Sequence, residues 1–227
     1  MFRFAVAGGR ATRDPSQDLR GALRTAGPQK HRAAVKAPEL GKLLRAIESY
    51  QGERSTLLAL KLVAHTFLRT SEIRFGQWSE LEQLDGPVPQ WRIPAERMKS
   101  RIEHLVPLTS QAIAILKELK VQAANSRFMF PAPTKEGVIS QNTLIYALYR
   151  MGYHSRATVH GFRSTASTIL NEQGFNRDWI ERQLAHVERN DVRAAYNTAE
   201  WLSDRRIMLC WWSDYLDAAT GESATVG

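Results

Sequence analysis

One cysteine, Cys210, is all that 227 residues contain, so no internal disulfide can form and zinc sites built from several thiolates are excluded. That usage favours a reducing, cytoplasmic setting. Long apolar runs are also missing. The longest, Leu57 to Leu68, is broken by Lys61 and His65 and falls short of the roughly 20 residues a bilayer requires, so no membrane span is expected. The N-terminus has no basic flank followed by an apolar stretch and a small-residue cleavage site, which argues against a signal peptide. Neither a Gly-rich phosphate loop, nor a HExxH helix, nor a GxSxG elbow occurs. The usual anchors of nucleotide hydrolysis, zinc proteolysis and serine hydrolysis are therefore lacking. No repeat at a fixed period is found.

What is present is material for a packed interior: 43% hydrophobic and 9% aromatic residues exclude disorder over the whole chain. The net charge of +8 suggests an anionic polymer as partner, but its location matters more than its sum. Segment 1–36 holds eight basic residues against Asp14 and Asp18, a net +6, and leaves only about +2 to the rest of the chain. Bulk charge therefore does not establish nucleic-acid binding by the main body; its motifs must.

The opening segment is broken by Gly8-Gly9, Asp14-Pro15 and Gly27-Pro28 and cannot bury a core alone. After Pro38, Leu40, Leu43, Leu44 and Ile47 fall at helical spacing, and Thr56 to Phe67 repeats the pattern. Between Trp78 and Leu108 the texture turns to short β-compatible pieces, Trp91 to Ile93 and His104 to Val106, separated by Asp85-Gly86 and prolines. Further helices are expected over Ala112 to Ala124, Gln141 to Met151, Gly161 to Glu172, Arg177 to Leu184, Val192 to Thr198 and Trp201 to Leu216. Thr109, Ser140 and Asn176 stand as candidate caps. The fold class is mainly α with a small antiparallel β-sheet, α+β.

Several short motifs bear chemistry. His160-Gly-Phe-Arg163 puts an imidazole and a guanidinium three residues apart on one helical face, where both could reach one anion. Leu184-Ala-His186 closes the next helical stretch, and Tyr196 follows ten positions later. Upstream, Arg69 precedes a helix start at which Ser71 and Glu72 offer acceptor oxygens. Lys99 sits between the two strand candidates, on a hairpin tip. Each residue alone has a bland reading as a capping group, a dipole partner, a core tyrosine or a solvated lysine. Together they supply two arginines, two histidines, a lysine and a tyrosine with no acidic metal cluster. That inventory suits metal-free, cofactor-free phosphoryl transfer, in which forked guanidinium donors neutralise the non-bridging oxygens and the tyrosine is the nucleophile.

Arg69-Thr-Ser-Glu72, Lys99, His160-Gly-Phe-Arg163, Leu184-Ala-His186 and Tyr196, in that order, resemble the catalytic domain of tyrosine recombinases, specifically the integrases of prophages and genomic islands. Stretches such as Ile93 to Lys99, His160 to Thr168, Ile180 to Asn190 and Arg193 to Asn197 carry the likeness, which runs from about Pro38 to Asp217. The resemblance implies a tyrosine recombinase catalytic-domain fold and a site-specific recombinase that cleaves and rejoins duplex DNA at attachment sites, integrating or excising a mobile element. By the same resemblance Tyr196 attacks a scissile phosphate to give a 3′-phosphotyrosine, and Arg69, Arg163 and His186 hold the non-bridging oxygens. Lys99 protonates the departing 5′-oxygen, His160 assists the tyrosine proton or braces the phosphate, and Glu72 supports Arg69. The resemblance further implies a homotetramer on DNA for a full-length member, a monomer remaining open for a fragment, and a last helix that packs either on a neighbouring protomer or on its own domain. Two alternatives share the residues: a type IB topoisomerase-like nicking-closing enzyme, and a DNA-binding fragment deficient in turnover.

Members of this subgroup carry an arm-binding and a core-binding domain ahead of the catalytic part. Residues 1–36 are accordingly expected to be the basic remnant of a core-binding domain plus the interdomain linker, with 37–218 the catalytic domain and 219–227 a disordered tail; an expressed fragment and a truncated gene fit equally. Without the second half of a clamp, the chain alone should bind duplex DNA weakly, with an affinity that falls steeply as salt rises. Tight binding that barely changes across a salt titration is the contrary result.

Overall fold

The computed structural model describes residues 2–19, 33–123, 125–186 and 201–221. The chain divides into two compact units, Met1–His31 and Arg32–Gly227. In the first, a short helix α1 (Phe2–Ala7) is followed by a 3-10 turn at Pro15–Leu19. No residue of α1 is buried, and Phe2 and Phe4 are exposed.

The second unit is built around α3 (Arg54–Thr66), whose Leu57, Leu58, Leu60, Leu62 and Val63 are all buried. An apolar surface on nearly every side of one helix can be satisfied only by neighbours on every side. They are α2 (Ala37–Glu48), α4 (Thr70–Arg74), α5 (Ser110–Gln122), α6 (Thr143–Arg150), α7 (Val159–Glu172) and α9 (Leu202–Thr220), with α8 (Arg177–Gln183) against α7 and α9. Each fully buried leucine contributes roughly 1.5–3 kcal/mol, so this central helix anchors the domain. Helix α2 shows the expected stripe, burying Leu40, Leu43, Leu44 and Ile47.

The sheet has three antiparallel strands in the order β1 (Leu81–Glu82), β2 (Gln90–Ile93), β3 (His104–Pro107). Trp91 lies opposite Leu81 on one side and Val106 on the other, and Ile93 lies opposite His104. The two-residue period turns Trp91 and Ile93 inward while Gln90 and Arg92 stay half-exposed. The third strand extends what the sequence had suggested as two β pieces.

Caps set several boundaries. Thr109 accepts from Ala112 N–H and Asn176 from Asp178 N–H, starting α5 and α8. Helix α6 begins only at Thr143: Ser140 Oγ takes the Asn142 N–H at 3.3 Å, closing a local turn ahead of the helix instead of capping it. At the other end, α9 runs through Thr220 and is closed by Gly221 at φ +85°. The helix thus takes in the first residues of segment 219–227, because glycine supplies the left-handed cap. Ala124 and the expected helix Val192 to Thr198 lie outside the described residues, as does 222–227. Among the described residues no helix is long and apolar enough to cross a membrane.

Helix α9 docks on its own domain. Trp212 Nε1 donates to the Ala64 carbonyl at 2.8 Å and its ring meets Phe67 edge-on at 6.1 Å. Beside it, Ser213 Oγ bonds both His65 Nδ1 (2.9 Å) and Thr109 Oγ1 (3.0 Å), joining α9 to α3 and to the start of α5. Burial, with a smaller push from Lys61, lowers His65 to about 4. His104 is likewise driven well below its ordinary value, by burial first and then by the charge of Arg205. Both histidines are therefore neutral in the folded protein and take up protons on unfolding. The contribution of each is complete above pH 6.5 and falls below it; for His65 it is lost as pH falls toward 4 and is worth about 3 kcal/mol. Denaturant unfolding between pH 7 and 5 should show stability dropping by about 1 kcal/mol per pH unit for each such group, and His65→Asn should flatten part of that slope.

Candidate anion-binding site

Four elements meet where α8 ends. The Schellman turn after Gln183 is made by Ala185 N–H to the Arg182 carbonyl (3.0 Å) and His186 N–H to the Glu181 carbonyl (3.1 Å). Ala185 takes the left-handed position, φ +48°, where glycine is usual. Among the described residues no backbone N–H donates to the Leu184 and Ala185 carbonyls at this helix end. Two arginines take them. Arg163 Nη2 donates to the Leu184 carbonyl at 2.5 Å, and Arg69 Nη2 reaches both carbonyls at 3.3 and 3.2 Å. Cations at a helix C-terminus also complement its dipole.

Each arginine is held from a second side. Glu72, in the first turn of α4 and 2% exposed, takes the Arg69 backbone N–H on one carboxylate oxygen (2.8 Å) and Nη1 on the other (2.7 Å). Arg163 Nη1 donates to the carbonyl of Phe67 (2.6 Å), the left-handed residue that ends α3. Arg163 is 3% exposed, and its Nε–H finds no partner among the described residues. Burial, and after it the charge of Arg69, bring Arg163 down to about 10, so it remains a cation at neutral pH. Two guanidinium groups thus share one carbonyl in a poorly hydrated setting, with the Arg163 Nε–H to spare among the described residues. That arrangement favours an anion with several oxygens.

The other candidates stand around this pair. His160 is half-buried in the first turn of α7, one turn before Arg163. His186 is exposed, on the same turn as Leu184 and Ala185, with Nδ1 2.7 Å from Glu181 Oε2. Lys99 is exposed on the turn between β2 and β3, and no contact of its own joins it to the arginines. Tyr196 lies outside the described residues. The geometry therefore brings together Arg69, Glu72, Arg163 and the backbone that carries His186, and sets His160 one helical turn away.

Gly161 explains how α7 is seated. A Cβ there would stand 2.4 Å from the Ala33 carbonyl oxygen and 3.0 Å from Ala34 Cα. Thr158 and Thr165 donate to the Ala33 and Val35 carbonyls on either side of that approach, at 3.0 and 2.7 Å. The chain 33–35 is thus laid directly on α7.

A second layer, which sequence reasoning did not single out, fixes the end of α8. Gln183, fully buried, donates to the Thr66 carbonyl (3.1 Å) and accepts from Arg205 Nη2 (2.7 Å), while Arg205 also donates to the Leu105 carbonyl (2.6 Å). Arg97 is the other such residue: it pairs with Glu80 and donates from Nη2 to the Glu72 carbonyl at 2.5 Å. Nothing local marks Gln183, Arg205 or Arg97 apart from the other polar residues of their segments.

The class defined so far is a mainly helical α+β domain with a preassembled pair of arginines suited to an anion. Comparison with known proteins narrows that class. Residues 34–201 match the Phage integrase family, and the chain belongs to it. It is 40% identical over 236 residues to the integrase of Enterobacteria phage P4, a match covering 96% of this chain and 52% of that protein. The chain spans about half the length of the curated relatives it matches. Among solved structures, the integrase from mycobacterium phage Brujita superposes with a TM-score of 0.63 at 17% identity, covering 98% of this chain and 73% of the other. A lambda integrase dimer bound to a COC′ core site gives 0.58 at 19% identity, over 88% of this chain and 56% of that one. At such identities the likeness is one of fold.

Two substitutions should separate in urea titrations, one lowering stability and the other not. Gly161→Ala must push chain 33–35 off α7 and should cost about 1–3 kcal/mol. Ala185→Gly removes the left-handed strain and should leave stability unchanged or raise it by up to about 1 kcal/mol.

Proposed function

We propose that residues 37–218 are the catalytic domain of a site-specific recombinase, which cuts and rejoins duplex DNA through a 3′-phosphotyrosine at Tyr196. The observation that carries this reading is the Arg69–Arg163 pair, braced on the Leu184 carbonyl with the Arg163 Nε–H unsatisfied among the described residues. Membership of the integrase family and a fold shared with a lambda integrase bound to its core site support it. Segment 1–36 is the basic remnant of a core-binding domain with its linker, the working assembly is a tetramer on attachment-site DNA, and the setting is cytoplasmic.

In this reading the scissile phosphate docks on Arg69, Arg163 and His186. The Tyr196 oxygen forms a bond to phosphorus as the bond to the 5′-oxygen breaks. The tyrosine proton passes toward His160, and the 5′-oxygen leaves as an alcohol with a proton from Lys99. Charge on the non-bridging oxygens grows along this path, and donors already oriented by carbonyls and Glu72 need not reorganise to meet it. Each such donor contributes on the order of 10²–10³ in rate. One phosphodiester replaces another, so the strand can be resealed by a 5′-hydroxyl without an external energy source. A free phenol with its pKa near 10 is a weak nucleophile at neutral pH, which is why the cationic surroundings matter.

The test uses a nicked duplex copied from the boundary of the element that encodes the chain, followed by denaturing electrophoresis. A covalent protein–DNA band should form, disappear in Tyr196→Phe and fall about 100-fold or more in rate in Arg163→Ala. A band that persists in Tyr196→Phe overturns the assignment. Shifted DNA with no band in either protein identifies a binding module without turnover, and plasmid relaxation without strand exchange identifies a nicking-closing enzyme.

A further inference from the structure

We propose that Arg97 is a positioning residue for Lys99, holding the β2–β3 turn in fixed register with the helix that carries Arg69 and Glu72. The inference rests on the reading of Lys99 as the proton donor to the leaving 5′-oxygen.

Lys99 is exposed on a turn and has no hydrogen bond of its own to the arginine pair. Its placement therefore depends on how that turn is fastened. Arg97, two residues earlier at the end of a 3-10 turn (Ala95–Arg97), is the fastening. Its Nη2 donates to the backbone carbonyl of Glu72 at 2.5 Å, and the Glu72 side chain is what grips Arg69 at its backbone N–H and Nη1. One residue thus receives the Lys99 turn on its main chain and holds the arginine on its carboxylate. The Arg97 Nη1 is paired with Glu80, and the same Glu80 oxygen accepts from Trp91 Nε1 (2.9 Å) and from Gln77 N–H (3.2 Å). Trp91 is fully buried in β2, so Glu80 ties Arg97 to the base of the hairpin that bears Lys99.

Met98, between Arg97 and Lys99, is also buried, and its carbonyl accepts from Arg101 N–H at 3.1 Å. Arg101 is exposed, and its side chain donates within the turn, to the Glu96 carbonyl at 3.2 Å. The turn is therefore pinned on its β2 side and projects from there. The Arg97 side chain is only 14% exposed, with a buried Nε–H that lacks a partner among the described residues, and Glu80 Oε1 is in the same condition. A buried ion pair with unmet polar atoms adds little net stability; its value lies in the geometry it imposes. What this pair imposes is the distance between the Lys99 turn and the Arg69 helix.

Leaving-group chemistry separates this role from a merely structural one. A 5′-bridging sulfur departs as a thiolate, which needs no proton, so a defect in proton donation vanishes on that substrate while a defect in holding the phosphate remains. The experiment measures the rate of covalent-complex formation by the full chain on the nicked boundary duplex with oxygen or sulfur at that position. Lys99→Ala and Arg97→Met are expected to be slower than the parent by about tenfold or more on oxygen, and to come within about threefold of it on sulfur. Arg163→Ala should stay slow on both. Should Arg97→Met fail to fold by circular dichroism, Glu80→Gln, which weakens the pair while leaving Arg97 in place, carries the same comparison with a smaller loss. Rescue of Lys99→Ala without rescue of the Arg97 or Glu80 variant overturns the inference and leaves the recombinase reading standing. A parent rate for Arg97→Met on oxygen overturns it too. If Lys99→Ala itself is not rescued by sulfur, the role given to Lys99 falls and the inference falls with it.

Discussion

Two positive guanidinium groups held side by side repel each other, and burial deepens the cost. In this domain both reach one shared oxygen, the Leu184 carbonyl, which accepts from Arg69 and from Arg163. The oxygen is available because α8 ends there in a left-handed turn at Ala185. The remaining architecture serves that turn. Gln183 and Arg205 fasten it to α3, β3 and α9, and Glu72 and Phe67 grip the two arginines from the far side.

The consequence is a site organised before any ligand arrives. Backbone carbonyls and one carboxylate consume some of the donors and orient the rest, so the phosphate of the proposed reaction would meet fixed dipoles rather than mobile side chains. Burial, and after it the charge of Arg69, hold Arg163 below its ordinary value, and an anion docked on the pair would offset both. The cluster is also economical in contacts. Arg97 connects the lysine turn to the same Glu72 that holds Arg69, so two segments 25 positions apart share one reference point.

Much of the fold was legible because it is written in short periods. The apolar stripe of α2, the inward alternation of Trp91 and Ile93, and the caps at Thr109 and Asn176 are all local and all present. The misses are local decisions made by other parts of the chain. Ser140 closes a turn instead of starting α6, and α9 runs on to Gly221 because its apolar face is held against α2 and α3. For the site, a linear pattern could name Arg69, Glu72, His160, Arg163 and His186 as groups of suitable chemistry. It could not name Gln183, Arg205 or Arg97, whose importance lies in which carbonyl each one reaches.

The amino-acid sequence by itself determined the kinds of group available, their order, and the helices and strands that carry them, because periodicity and capping act over a few residues. Tertiary structure alone decided that donors 115 and 21 positions from Leu184 would converge on its carbonyl. It also decided that a glycine at 161 would let chain 33–35 lie against α7. Such meetings depend on packing α3 from all sides at once. That is a many-body condition, to which no single stretch of sequence has access.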